Sequence, residues 1–263
     1  MKLGIAGRKA LVLGGGRGLG LAVARALAAE GVDLVISSRS LERLEEAARA
    51  IRADHAVKVT AAACDMSDRD QVSALWKETE RQLGQVDILL NNHGGPPLGL
   101  AADLEENALL AHFTPMVESV IRLTRLALPG MRERRWGRIL TIGSSGMIQQ
   151  LPNMALSNTL RAAIVGYMKT LASEVAADGV TVNILAPGKV YTDRVQSSAE
   201  TNAGRLGVTV EEIKKRSIAD IPVGRYGLPE EVGAMAAFLC GEQAGFMTGS
   251  IWRVEGGLIR SIL

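Results

Sequence analysis

Ser157 and Arg161 stand four residues apart in a stretch of helical periodicity, so their side chains stack on one helix face and can meet the same ligand. A hydroxyl donates to a carbonyl oxygen or anchors a water. A guanidinium keeps its positive charge and offers five donors without releasing a proton. Far upstream, Gly14-Gly15-Gly16-Arg17-Gly18-Leu19-Gly20 points to a different chemistry. Glycines there let a tight turn bring backbone amides and the start of a helix against a phosphate with no side chain in the way. Arg17 in that turn and Arg39 further on add two planar forks, which bind phosphate oxygens bidentately.

These groups need elements to hold them. Leu156, Leu160, Ile164, Tyr167, Leu171 and Val175 recur three or four apart and predict a helix over 154–177. Other helical patterns cover 19–29, 41–52, 68–83 and one long segment from about 103 to 134. Between them lie short apolar runs at 10–13, 34–37, 57–62, 86–90, 139–142, 180–185 and 251–254. Strands apolar throughout and separated by helices predict an α/β, Rossmann-type doubly wound fold, a mostly parallel seven-stranded sheet covered on both faces. Residues 1–263 read as one domain, because no linker-like change of composition divides them. The segment 192–217 starts polar, with Asp193, Arg194, Gln196, Ser197 and Ser198, turns helical from about Thr209, and reads as a lid.

The glycine turn lies between the first run and the first helix, and the second run ends at Ser38 and Arg39. A carboxylate at that strand end would accept hydrogen bonds from the adenosine ribose of NAD. This chain instead offers Ser38 with Arg39 and Arg17 and no nearby acid, which suits a 2′-phosphate and predicts NADP(H). The alternative is that both arginines pair with helix carboxylates such as Glu42.

Composition excludes several classes. The 263 residues carry a formal net charge of +2 with 22% charged residues, too balanced for a nucleic-acid binder. Arg132, Arg134, Arg135 and Arg138 around Trp136 read as a solvated helix end favoured by the macrodipole. Cys64 and Cys240 are isolated and expected to be buried thiols. His55 and His112 lack partners at ligand spacing, so no metal site is expected. No apolar run is long enough to span a bilayer and no signal peptide opens the chain, which predicts a cytoplasmic protein that does not engage membranes.

The ordered landmarks resemble the short-chain dehydrogenase/reductase family, and most closely its 3-oxoacyl-carrier-protein reductase-like members. Gly14, Gly18 and Gly20 are similar to its spaced glycines, Cys64-Asp65-Met66 to its adenine-holding turn, and Asn91-Asn92-His93-Gly94 to its Asn-Asn-Ala-Gly segment, with His93 in place of alanine. Pro187-Gly188-Lys189-Val190-Tyr191-Thr192 resembles the segment that positions the nicotinamide carboxamide, which implies contacts from Val190 and Thr192. The motifs around Gly224–Val232 and Val254–Gly257 agree.

That resemblance also implies a catalytic serine at Ser144, then a tyrosine thirteen residues later and a lysine four beyond. This chain has Ser157 and Arg161 there, and Met116 where the family's helix asparagine falls. A serine is a far weaker acid than a phenol, whose reference pKa is about 10. The resemblance implies an oxidoreductase acting on a small carbonyl or alcohol substrate, with Ser144 and Ser157 polarising the oxygen and Arg161 holding the nicotinamide ribose. The missing pair leaves two alternatives: a NADP(H)-binding protein without redox turnover, and a lyase or isomerase using the same pocket. Tyr191 is the nearest replacement phenol, against a packing role. His93 could relay protons or only change a ribose contact. A homotetramer is implied, with Val117, Val120, Ile121, Leu123, Leu160, Ile164 and Tyr167 as surplus apolar surface.

Overall fold

The computed structural model describes residues 2–262. Its strands are β1 (Lys9–Leu13), β2 (Asp33–Ser38), β3 (Val59–Ala63), β4 (Ile88–Asn91), β5 (Gly137–Ile142), β6 (Val180–Pro187) and β7 (Ile251–Val254). They form one parallel sheet in the order β3-β2-β1-β4-β5-β6-β7. The chain starts at the centre, winds out to β3, and returns to place β4 against β1. The loops leaving the two strands diverge at that reversal and open a crevice beyond their C-terminal ends.

Nine α-helices connect the described strands: α1 (Gly18–Ala29), α2 (Leu41–Asp54), α3 (Arg69–Leu83), α4 (Glu106–Phe113), α5 (Ser119–Glu133), α6 (Ala155–Val175), α7 (Asp193–Leu206), α8 (Val210–Ala219) and α9 (Pro229–Cys240). Strand alternation feeds two cores. Ala10 and Val12 of β1 face one, with Val23, Leu27 and Leu44 of α1 and α2 and Val232 of α9. Leu11 and Leu13 face the other, with Leu75 of α3, Leu123 of α5 and Ile164 of α6. With both faces covered, a strand has no solvent side, which is why its sequence reads apolar throughout.

Two expectations are corrected by local chemistry. The helix expected over 103–134 is broken: Thr114–Glu118 forms a π-turn between α4 and α5. Pro115 brings no N–H and clashes with the carbonyl four residues back, and the wider register absorbs both defects. The segment 192–217 is helical from Asp193, not only from Thr209. Helix α7 buries just Ala199 and Ala203, so its sequence lacks an apolar stripe, while Gln196 donates to Glu200 at 2.6 Å along its exposed side.

Only part of the basic stretch is a solvated helix end: Arg132 and Arg135 are exposed at the C-terminal end of α5, while Arg134 and Arg138 are drawn into the fold. Arg138 is buried, donates to the Gly137 carbonyl at 2.9 Å, and stacks on Trp136, whose ring also carries Arg8 at 3.8 Å. Arg134 pairs with buried Asp87 at 3.2 Å, and Arg132 with Asp178 at 2.6 Å. These cations staple the N-terminal end of the sheet, opposite the crevice. Both cysteines are buried free thiols, and burial pushes Cys64 up to about 11 and Cys240 up to about 12. No described helix is long and apolar enough to cross a membrane.

Candidate active site

Between β1 and α1 the chain turns on glycine. Gly14 and Gly18 have φ of +66° and +55°, the left-handed region that side chains disfavour. A Cβ on Gly20 would fall 2.2 Å from the Gly14 carbonyl oxygen, and one on Gly16 3.2 Å from Ser38 Oγ. Asn92 Nδ2 donates to the Leu13 carbonyl at 3.2 Å and ties β4 to the turn. Arg17 is the N-cap of α1 in extended geometry, no side chain caps the helix, and its first turn, where Leu19 follows Gly18, has no acid. The first amides are left for an anion, so the residues present fit a dinucleotide's pyrophosphate.

Ser38 and Arg39 lie where expected, at the end of β2, with Arg39 exposed. Neither Arg39 nor Arg17 pairs with Glu42. Arg17 instead meets Asp193 at 3.8 Å, both largely exposed. The reading that no acid lies near Arg39 is corrected. Parallel pairing of β2 with β3 brings the turn after β3 alongside, close enough for Arg39 to act on Asp65. Asp65 is held below the usual carboxylate range first by Ser67, whose amide and hydroxyl donate to it at 2.9 and 2.7 Å, and further by the Arg39 charge. The Met66 carbonyl accepts from Ser119 at 2.5 Å, which fixes this turn against α5.

At the other end of the crevice, Pro187 ends β6 and Val190 is buried. The Tyr191 amide donates to Gly227 at 2.9 Å. Thr192 Cγ2 lies 3.7 Å from where a Gly18 Cβ would stand, so this segment closes over the glycine turn. Tyr191 packs at the surface. It is 46% exposed, packs its ring 6.0 Å from that of Tyr226, and has Lys214 above it. Tyr167 packs against the core on α6.

Ser144 follows β5 and Gly143, and its Oγ accepts from the Gly146 amide at 3.2 Å. Asn158 donates to the Leu151 carbonyl at 3.3 Å and so ties this loop to the start of α6. Ser157 and Arg161 both lie buried there, as their spacing requires, with Arg161 Nε donating to Ser157 Oγ at 3.2 Å and Nη1 to the Ile142 carbonyl at 3.2 Å. Met116 sits in the π-turn, buried in the core under α6. Burial, then the charge of Arg194, pulls Arg161 down to about 10, which leaves it cationic at neutral pH. Arg194 is the residue that sequence reasoning left without a role. It reaches from the first turn of α7 to the Pro96 carbonyl at 3.4 Å.

His93 follows Asn92 at the end of β4, and its Nδ1 lies 2.8 Å from the Gly94 carbonyl oxygen. A carbonyl only accepts, so the neutral ring carries its proton on Nδ1 and leaves Nε2 as an acceptor. Burial, then Arg161, push its pKa down to about 4 against that hydrogen bond, with Arg194 adding to the effect. Folded His93 resists protonation while unfolded His93 accepts it near 6.5, so this residue costs stability as pH falls from about 6.5 to about 4. His93→Asn is expected to flatten that part of the acid limb by up to about 3 kcal/mol. Melting temperatures of both proteins from pH 7 to 4 check this; parallel curves would refute it.

Residues 14–259 match the family model described as Enoyl-(Acyl carrier protein) reductase. The chain is 33% identical over 254 residues to D-beta-hydroxybutyrate dehydrogenase of Cupriavidus necator, covering 96% of this chain and 98% of that protein. It is 31% identical over 255 residues to the 3-oxoacyl-(acyl-carrier-protein) reductase FabG of Haemophilus influenzae, covering 97% and 99%. L-sorbose reductase from Gluconobacter frateurii, solved with NADPH and L-sorbose, superposes with a TM-score of 0.95 at 31% identity and full coverage of both chains. Sheet order, glycine turn and whole-length similarity agree, and the chain belongs to the short-chain dehydrogenase/reductase family.

Proposed function

We propose that the protein is an NADP(H)-dependent oxidoreductase acting on a carbonyl or alcohol, with an atypical proton-donating group. One observation carries the reading: Thr192 closes on Gly18, which joins the uncapped, acid-free start of α1 to the crevice end that holds Ser144 and Ser157. Gly14, Gly16, Gly18, Leu19 and Gly20 would hold the pyrophosphate. Arg17, Ser38 and Arg39 would hold the 2′-phosphate, Asp65 and Met66 the adenine, and Asn92, His93 and Gly94 the ribose side. Pro187, Val190 and Thr192 would hold the carboxamide. Relatives named as NADPH-dependent reductases support the same cofactor.

Bound NADPH supplies the hydride. Ser144 and Ser157 donate hydrogen bonds to the substrate oxygen and polarise it. Ser157 Oγ accepts from Arg161 Nε, so its own O–H remains to donate, and the adjacent cation stabilises negative charge on that oxygen. Arg161 also orients the nicotinamide ribose through one of the two N–H groups of its remaining nitrogen, Nη2, leaving the other free. Losing a positioned phenol costs about 10²- to 10⁴-fold, which makes this a slower proton donor resupplied by water. The segment 192–217 acts as the lid of a single 263-residue domain.

Binding without turnover has its own support, because serine stands at 157 and the tyrosines have packing partners of their own, Tyr191 and Tyr226 each other and Tyr167 the core. Loss of NADPH absorbance against ketones, aldehydes and quinones tests the choice. Consumption with any of them supports the oxidoreductase. Tight NADPH binding without consumption favours the binding protein or a lyase or isomerase, and no binding sinks the whole reading.

Of the residues first read as surplus apolar surface, Val117, Val120, Leu123, Leu160 and Ile164 are buried in the chain's own core and do not support a tetramer, while Ile121 and Tyr167 stay half-buried. Leu110, Phe113 and Leu126 are exposed, and these support a homotetramer, to be checked by light scattering.

A further inference from the structure

Two guanidiniums and a neutral imidazole gather at the substrate end of the crevice, from segments far apart in sequence. Arg161 is only 9% exposed, and its protein partners are a hydroxyl and a carbonyl, neither carrying charge. Arg194 lies against the backbone of 94–96. A Cβ on Gly95 would fall 2.5 and 2.6 Å from its two terminal nitrogens, so only glycine lets this fork lie flat there. Among the described residues no carboxylate comes within ion-pair distance, 4.0 Å, of either group. The acid adjacent in sequence, Asp193, turns away to Arg17 on the far side of the lid.

A buried cation without a counter-charge costs several kcal/mol of desolvation that an anion beside it would offset. The charge of Arg194 raises that cost. His93 contributes no positive charge at neutral pH and presents an acceptor, so the local excess is the two guanidiniums. Their hydrogen bonds use Nε and Nη1 of Arg161 and Nη2 of Arg194, leaving Nη2 of Arg161 and Nη1 of Arg194 without a protein partner among the described residues. A free N–H on each guanidinium suits the two oxygens of one carboxylate, with Arg194 near enough for its charge to act on Arg161, and Ser157 lies one hydrogen bond from Arg161 to receive a neighbouring carbonyl.

We propose that the substrate is a keto or hydroxy acid whose carboxylate is held between Arg161 and Arg194 at the mouth of the crevice. This rests on the oxidoreductase reading for the reaction, though not for binding of the acid. The rival source of counter-charge is the phosphates of the cofactor, in which case the substrate's own charge is irrelevant.

Calorimetry separates the two. Pyruvate, acetoacetate and levulinate span three distances between carbonyl and carboxylate, and each is titrated beside its methyl ester into the full chain, with NADP⁺ present so that the ketone forms a dead-end complex. At least one acid is expected to bind about 10- to 100-fold tighter than its ester, the worth of a charge-assisted hydrogen-bonded pair. Arg194→Gln, and separately Gly95→Ala, which displaces the fork, should each lower that acid-to-ester ratio at least about fivefold. Arg194→Lys should recover part of it. Equal binding of acids and esters, no measurable binding of any acid, or a ratio untouched by both variants overturns the proposal. If acids outbind esters but NADPH is never consumed, the carboxylate site stands and the redox reading falls. If NADPH is consumed with neutral ketones and acids gain nothing, the reverse holds.

Discussion

Ser157→Tyr combined with Arg161→Lys is expected to raise NADPH-dependent reduction of a simple ketone by about 10²-fold, the lower end of what a positioned acid contributes. Position 157 is 3% exposed, and its hydroxyl is engaged by the guanidinium of residue 161. Replacing the fork by an ammonium opens space at the first turns of α6 for a phenol. It also keeps a positive charge beside the new hydroxyl, drawing its pKa down toward working pH. The measurement is kcat on a ketone with and without the pair, alongside thermal unfolding and NADPH affinity. A folded, NADPH-binding double variant with no gain would mean that these positions do not face the reacting carbonyl. The single Ser157→Tyr should gain less, because Arg161 still fills the space beside it.

Arg39→Asp is expected to weaken NADPH by about 10²-fold and to strengthen NADH. A bidentate fork is lost, and a carboxylate takes its place where the 2′-phosphate would sit. The tertiary structure sharpens this prediction. Asp65 already lies within electrostatic reach of Arg39, so the substitution leaves two carboxylates and only Arg17 to face the phosphate. For NADH the new carboxylate accepts from the ribose hydroxyls. Titration of both nucleotides against both proteins gives the answer, and equal losses for NADPH and NADH would refute the 2′-phosphate assignment.

The succession of strands, the sheet type and the glycine turn were legible in the chain because each is written in contiguous residues, whereas helix α9 (Pro229–Cys240) was not read. Apolar runs of strand length separated by helical periods admit few other packings, and a turn such as Gly14–Gly20 carries its backbone requirements locally. The stacking of Ser157 on Arg161 was legible for the same reason, since a four-residue spacing fixes a helix neighbour. Where local pattern misled, the cause was equally local: Pro115 forced a π-turn into an otherwise helical stretch, and α7 buries only two alanines, too small to mark an apolar face.

Charge pairing and burial were decided only in three dimensions. Coulomb energy depends on distance through space, and no run of residues encodes which distant groups will share a cavity. Arg134 finds Asp87, Arg138 slides under Trp136, and Arg39 acquires Asp65 as a neighbour, each across a sheet register or a helix crossing. The sequence alone determined that two arginines and a glycine existed at 161, 194 and 95. The fold brings Arg194 against Gly95, turns Asp193 toward Arg17 and leaves Arg161 buried with no acid among the described residues within ion-pair distance, because lid, strand ends and helix start converge there.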